Sequence, residues 1–175
     1  MQIFLLSLFS GVISGVVASL AFYIYMHKMR PKLVICDNIA KSRDEEGTYY
    51  CFKIYNSSKR YSILDLRFEV MLKTPFYSHG GQNYKIDKVT LKRDHIMLLP
   101  RCSKNNDHDG SYALIMTTRD NLEEIWSSES QLVEFHVHAT HSFSRVSKSY
   151  SKKFYTKSSS IKEGMFTFGK TNSIQ

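Results

Sequence analysis

The chain has 175 residues, carries 24 Lys and Arg against 16 Asp and Glu for a formal net charge of +8, and contains 42% hydrophobic residues. Apart from an apolar N-terminal run, this length suits one domain of roughly 100–150 residues, and no internal repeat or Pro-rich linker divides it. Its three cysteines are an odd number without CxxC spacing, so no disulfide framework is implied.

Residues 3–26 are almost all apolar or small, and no charged side chain precedes Met26. A bilayer's hydrocarbon core is about 30 Å thick, and roughly 20 helical residues at about 1.5 Å each cross it. The sequence therefore predicts one transmembrane anchor. A cleaved signal peptide, cut near Ser19-Leu20-Ala21, is the alternative, but the basic n-region is missing and the run exceeds an apolar h-region of about 7–15 residues.

Basic residues follow the apolar run directly, whereas only Gln2 and the terminal amine precede it. Because positive flanks stay in the cytoplasm, we expect the N-terminus outside and the rest inside, in a single-pass protein of a bacterial inner membrane. We divide the chain into an anchor with its basic flank (1–30), a cytoplasmic domain (31–170) and a tail (171–175). Three basic residues are predicted to lie at the lipid surface after the anchor: Lys28, Arg30 and Lys32.

One stripe of the anchor carries a small residue at every fourth position. The stripe consists of Ser7, Gly11, Gly15 and Ser19. Helices in lipid associate where small residues let their backbones approach closely. We therefore expect the anchor to pair, either in a homo-oligomer or with a partner membrane protein. The alternative is that this stripe faces lipid.

Beyond the anchor, stretches rich in β-branched and aromatic residues alternate with polar or Gly-containing breaks. This spacing predicts a mainly β domain, an antiparallel sandwich or barrel. Its clearest strand alternates apolar residues, from Val133 to Ala139, with polar ones. One short helix is predicted at residues 121–128, with Asp120 as N-cap and Glu123 in a capping box. The predicted strands are 33–36, 48–56, 63–73, 85–91, 95–99, 111–117, 131–141, 146–155 and 165–168.

An alternating strand at residues 132–140, then Tyr155, then the pattern Ile161, Gly164 and Phe166 resembles the cytoplasmic domain of inward-rectifier potassium channels. The resemblance covers roughly residues 48–168. It implies an immunoglobulin-like β-sandwich just beneath the membrane, preceded by an anchor helix. The sequence lacks a pore loop, a TVGYG-type filter and a second spanning segment, so this chain alone is not a potassium channel. Glu163 also replaces the Trp that usually precedes the family's turn glycine.

Glu134, His136 and His138 lie two residues apart on one strand, so their side chains point from the same face. Carboxylate and imidazole groups bind zinc or copper, which makes these three residues a candidate metal site. A half-solvated strand face is the alternative. Asn105-Asn106-Asp107-His108-Asp109-Gly110 resembles the start of a calcium loop, but its twelfth position is Met116 instead of Glu, and an Asx-rich hairpin turn is the alternative.

No nucleophile elbow, P-loop, HExxH or dinucleotide fingerprint occurs. We therefore predict no enzymatic activity and no cofactor, and interpret Cys51 as a small buried hydrophobe. Between Arg145 and Lys170 the chain is basic. Near anionic lipid each basic residue is worth about 1 kcal/mol, so Lys152 and Lys153 are predicted at the membrane surface. Edge-strand protection is the alternative. No nucleic-acid module is recognisable, and no nucleic-acid partner is expected.

Three classes of function fit these patterns. The leading hypothesis is a membrane-anchored β-sandwich that binds a partner or ligand, with lipid around its anchor and oligomerisation through it. A second is a membrane effector whose assembled anchors perturb the bilayer. The third is an enzyme with an unrecognised site on loops, for instance around His79-Gly80-Gly81 or residues 105–110.

Overall fold

The computed structural model describes residues 2–103 and 110–175. The chain begins with α1 (Gln2–Lys28), and the rest of the described part is mainly β. The segment Phe9–Lys28 is long and apolar enough to cross a membrane, and none of it is buried against the β domain. The predicted N-terminal apolar helix is confirmed, and its insertion into a bilayer stays a prediction.

Strands dominate the chain after α1. Their bounds, with those of two short helices, are β1 (Leu33–Ile35), β2 (Ile39–Asp44), β3 (Gly47–Asn56), β4 (Ile63–Ser78), β5 (Gly81–Val89), β6 (His95–Leu99), β7 (Ala113–Thr118), α2 (Leu122–Ile125), β8 (Leu132–His141), β9 (Ser147–Phe154), α3 (Lys157–Ser160) and β10 (Ile161–Glu163).

The first sheet has the strand order β1-β3-β2-β10, and β7 also pairs with β3. Its pairs are antiparallel except for β10, which runs parallel to β2 with Ile161 opposite Ile39. The prediction of a wholly antiparallel domain is therefore wrong at this edge. β10 arrives from the second sheet after the turn of α3, and a strand that enters by a crossover is not bound to the hairpin direction.

The second sheet has the order β5-β4-β8-β9 and is antiparallel throughout. β4 is 16 residues long. Its first part pairs with β6 and its second part with β5, while β8 pairs along both parts. The register between β4 and β8 shifts between Leu64 and Arg67, and Asp65 in this irregularity has a φ of +46°.

The inward side chains of both sheets share one hydrophobic core. Phe52 of the first sheet and Phe135 of the second have ring centroids 5.1 Å apart. The predicted alternation of β8 is confirmed, because every apolar residue at odd positions from Val133 to Ala139 is buried. Its polar face departs from the prediction at Glu134, which is buried as well.

The helix predicted within the β domain, at residues 121–128, is shorter than predicted. α2 spans four residues, its N-cap is Asn121, and the Asn121 side chain forms no capping hydrogen bond. The predicted N-cap, Asp120, instead accepts a hydrogen bond from the backbone N–H of Thr90 at 2.6 Å. The helix nevertheless contributes Leu122 to the core, and the next residue after it, Trp126, is buried and donates its indole N–H to the carbonyl of Gln131 at 3.1 Å.

The C-terminal segment, residues 164–175, packs against the first sheet. The predicted strand 165–168 is absent as a strand in this described segment, which instead closes on itself through backbone bonds between Met165 and Gln175. Gly164 has a φ of +118°, and a Cβ there would meet the backbone oxygen of Gln175 at 2.3 Å. Residues 171–175, separated above as a tail, thus lie on the domain.

Candidate functional site: a basic pocket where the apolar helix meets the β domain

Four residues link α1 to β1, and three of their carbonyl groups are hydrogen-bonded to the β domain. Ser144 donates its hydroxyl to the carbonyl of Met29 at 2.5 Å. Tyr150 of β9 donates its hydroxyl to the carbonyl of Pro31. The backbone N–H and the hydroxyl of Ser57 donate to the carbonyl of Lys32 at 2.8 and 3.0 Å. The linker is therefore fixed on the domain and does not hang as a free tether.

The loop between β3 and β4 lies beside this linker and is ordered by two polar side chains. Asn56 is buried, and its amide donates to the carbonyls of Tyr61 and Pro100, both at 3.0 Å. The hydroxyl of Ser58 accepts the backbone N–H groups of Arg60 and Tyr61. These bonds hold Lys59 and Arg60 at a fixed place near the end of α1.

Linker, loop and helix end enclose a cavity of about 480 Å³, called the junction pocket below. Its charged lining consists of Lys28, Arg30, Lys32, Lys59 and Arg60, and no Asp or Glu is among the described residues that line it. Tyr25, Tyr61 and His141 supply aromatic walls. Five cations around one cavity repel each other and attract an anion.

His141 is a buried residue in the lining of the junction pocket. It is 3% exposed, and the ring of Tyr61 packs edge-on at a centroid distance of 4.7 Å. Its Nδ1 accepts the backbone N–H of Ser144 at 3.1 Å, which leaves the proton of the neutral ring on Nε2. Burial lowers the pKa of His141, so the ring is neutral at pH 7 and the charge of the pocket comes from Lys and Arg.

Five basic residues are predicted at the membrane surface. The structure places three of them, Lys28, Arg30 and Lys32, in the junction pocket, and the other two lie elsewhere. Lys152 and Lys153 lie on β9, outside the junction pocket. Lys152 forms an ion pair with Asp37, and Lys153 is exposed. The lipid contact predicted for these two residues gains no support from the pocket geometry.

The small-residue stripe of α1 lies on an exposed helix. Ser7, Gly11, Gly15 and Ser19 are all exposed, and a Cβ added at Gly11 or Gly15 would meet no atom within 4 Å. The stripe is thus accessible for helix pairing, and the pairing itself stays a prediction.

The three candidate metal ligands on β8 have different environments. Glu134 forms ion pairs with Lys73 and with Nε2 of His136, the latter at 3.1 Å. Burial raises the pKa of Glu134, but its contacts with Lys73 and His136 outweigh burial and hold that pKa below its ordinary value. His138 shares a hydrogen bond with Ser149. Within residues 2–103 and 110–175, no group of three His, Cys, Asp or Glu is placed to hold a metal ion.

His136 and His138 instead line an open cleft of about 580 Å³ on the outer face of the second sheet. His95 of β6 lies in the same cleft, and its Nε2 is 2.9 Å from Oδ1 of Asp65. Arg67 donates to the same carboxylate oxygen at 3.3 Å. The hydrogen bonds from His95 and Arg67 outweigh desolvation and lower the pKa of Asp65, so the polar groups of this cleft are already paired with one another.

The remaining sequence candidates give no assembled site. Residues 104–109, and with them most of the candidate calcium loop, lie outside the described residues. His79 and Gly80 form the exposed turn between β4 and β5. Cys51 is buried, and burial raises its thiol pKa to about 11. Such a thiol is a weak nucleophile at neutral pH, in line with its interpretation as a small buried hydrophobe.

Sequence reasoning missed Lys59, Arg60 and His141 as partners of the basic flank. The pair Lys59-Arg60 is visible as a basic dipeptide in a polar break between two strands. The sequence does not show at which end of the β domain this break lies. Its position depends on the order and direction of the strands that precede it. Relatives do not supply this information either, since no protein-family model and no curated protein matches the chain.

Proposed function

We propose that this protein is a single-pass membrane protein whose β domain is held against an anionic membrane surface by the junction pocket. α1 spans the bilayer with the N-terminus outside, and the β domain lies in the cytoplasm. The junction pocket supports this proposal most strongly, because five basic side chains converge where the apolar helix meets the domain. Phosphate groups of anionic lipids lie at the same depth as the end of a spanning helix.

The proposed fold of the domain is an immunoglobulin-like sandwich related in architecture to the cytoplasmic domain of inward-rectifier potassium channels. Two sheets with a common core, joined by the contact of Phe52 with Phe135, support this proposal. The β domain then serves as a binding module that is placed and oriented by its anchor. Its oligomeric state is proposed to depend on the small-residue stripe.

Reconstitution of the full chain into lipid nanodiscs tests the role of the pocket. We expect the melting temperature of the β domain to rise when phosphatidylglycerol replaces part of the phosphatidylcholine, because lipid anions relieve the repulsion among the five cations. The double variant Lys59→Glu, Arg60→Glu should lose at least half of this rise. Lys153→Glu, Lys162→Glu carries the same charge change at two exposed residues of β9 and β10 outside the pocket and should keep it.

Two results would contradict the proposal. An equal melting temperature in both lipid compositions would show that the pocket does not sense anionic lipid. An equal loss in the Lys153→Glu, Lys162→Glu control would mean that net charge, and not the junction pocket, governs the response. Cysteine labelling of a Ser57→Cys variant in sealed vesicles checks the orientation, since this position should react only from the cytoplasmic side.

A further inference from the structure

β5 is an unprotected edge strand. Among the strands that the structure describes, it is terminal in its sheet and pairs with β4 alone. Eight of its nine residues are exposed, and only Val89 reaches the core. β5 is therefore exposed from Gly81 to Lys88, although its partner β4 enters the core at Val70 and Leu72. Its free edge presents N–H and C=O groups that another strand can bind.

The outer face of this hairpin carries an exposed apolar patch. Ile86 lies opposite Lys73, and Tyr84 lies opposite Pro75. Since opposite residues point to the same face and every second residue of a strand shares that face, the side chains of Ile86, Tyr84 and Tyr77 lie on one face of the hairpin. Tyr77, Tyr84 and Ile86 are 83%, 46% and 54% exposed. Large apolar side chains grouped on an edge hairpin are typical of an association surface.

We propose that β5 pairs antiparallel with β5 of a second copy of this chain about a two-fold axis at Ile86. In this register Ile86 lies opposite its own copy, and Lys85 lies opposite Asp87 of the other chain. The two-fold axis repeats this oppositely charged pair. Within one chain the two groups are already 3.1 Å apart on a common face, so pairing forms a cluster of two cations and two anions.

The sequence of the strand selects this register over its neighbours. An axis at Lys85 would place two lysines opposite each other, and an axis at Asp87 would oppose two aspartates; like charges directly opposite destabilise a strand pair. The axis at Ile86 also places Tyr84 opposite Lys88 of the other chain, on the face of the apolar patch. That arrangement permits a cation–π contact.

One edge pair buries little surface and forms a weak interface. The proposal therefore relies on the proposed anchoring in one respect: chains confined to one membrane meet at a high effective concentration. β5 pairing uses different residues from the small-residue stripe of α1, so the two contacts are separable by mutation.

Disulfide crosslinking of the full chain in vesicles tests the register. Ile86→Cys should crosslink to its own copy, because residues directly opposite have Cβ atoms about 4.5–5.5 Å apart. Tyr84→Cys alone should stay uncrosslinked, since its two copies lie about four residues out of register, or roughly 13 Å. A mixture of Tyr84→Cys and Lys88→Cys chains should crosslink. The native cysteines are buried and give a low background.

Charge reversal tests the ion pairs. Starting from Ile86→Cys, we expect Lys85→Glu to lower the crosslinked fraction about tenfold, and Asp87→Lys to do the same, because each change acts twice about the axis. The double change Lys85→Glu, Asp87→Lys should restore the crosslink. Lys153→Glu on the opposite edge strand is the matched control and should leave it unchanged.

Failure of this proposal is distinguishable from failure of the proposed function. Absence of the Ile86→Cys crosslink in chains that are inserted and lipid-responsive would overturn β5 pairing alone. Equal crosslinking at Tyr84 and Ile86 would also overturn it, since this indicates random collision. A crosslink that persists in chains with Gly11→Ile and Gly15→Ile would support pairing through β5 without the anchor stripe.

Discussion

Lys53 lies in the middle of β3 and is buried, with 1% of the residue exposed. Such burial is rare for lysine. The ammonium donates to the carbonyls of Thr167 and Thr171 at 2.5 and 2.8 Å, and the ring of Phe166 lies 5.8 Å away. Burial lowers the pKa of Lys53. The segment that covers this side chain lies more than 110 residues away in the sequence. The side chain thus holds the C-terminal segment on the first sheet.

The substitution Lys53→Met should loosen that segment without unfolding the domain. Met has a similar length and removes the desolvated charge, but it leaves two carbonyls without their donor, at a cost of about 1–3 kcal/mol each when they stay buried. We expect amide hydrogen exchange at residues 165–175 to accelerate, with β8 unchanged. Equal exchange in variant and wild type would mean that apolar packing of Phe166 alone holds the segment.

His141 makes the domain sensitive to acid at its junction with α1. Burial lowers its pKa below the ordinary value of 6.5, so the unfolded chain binds the proton first as the pH falls. The free energy of unfolding is therefore unaffected by the titration of His141 above about pH 6.5. Below that pH it decreases, by at most about 1.4 kcal/mol per pH unit for one proton. Protonation of Nδ1 also removes the acceptor for Ser144.

Denaturant unfolding between pH 7.5 and 5 measures this dependence. His141→Asn offers an acceptor and does not titrate, so the decline in unfolding free energy should be shallower in the variant. His138→Asn is a matched control, because His138 is exposed on the same strand. A decline of equal steepness in wild type and His141→Asn would place the acid sensitivity in other groups.

At the scale of elements, β8 could be predicted because its alternation reflects real burial on one face. β2 could not, since Ile39–Asp44 is mostly polar after its first two residues and is a strand through its pairing with β3. α2 begins at Leu122, one residue later than predicted, with Asn121 and not Asp120 at the N-cap, because Asp120 is bonded to Thr90. Tertiary partners thus decided these cases, and local propensity did not.

The proposed pairing of α1 through its small-residue stripe can be tested by mutation of the two glycines. Gly11→Ile and Gly15→Ile together should lower crosslinking between helices in membranes by about tenfold, because branched side chains prevent close backbone approach. Val16→Phe and Leu20→Phe add three to four side-chain carbons each on the side of α1 away from the stripe and should have little effect. Chains that are monomeric both before and after the glycine changes would remove helix pairing from the proposed function.

At the scale of the whole molecule, the sequence predicted the apolar helix, the mainly β domain and three members of the junction pocket: Lys28, Arg30 and Lys32. These follow from local composition. Lys59, Arg60 and His141 come from the β3–β4 loop and the end of β8, and they join the pocket through the strand topology. The parallel pairing of β10 has the same origin, because long-range crossovers leave no periodic signal in the sequence.

The three bonded carbonyls between α1 and β1 have a mechanical consequence. A linker without slack transmits torque, so a turn of α1 about its axis becomes a turn of the whole β domain. Each residue of an α-helix advances about 100° around that axis. The azimuth of the small-residue stripe is thus tied to that of β5, and under the proposed pairing of two anchors the angle between stripe and β5 determines which edges of the two domains face each other.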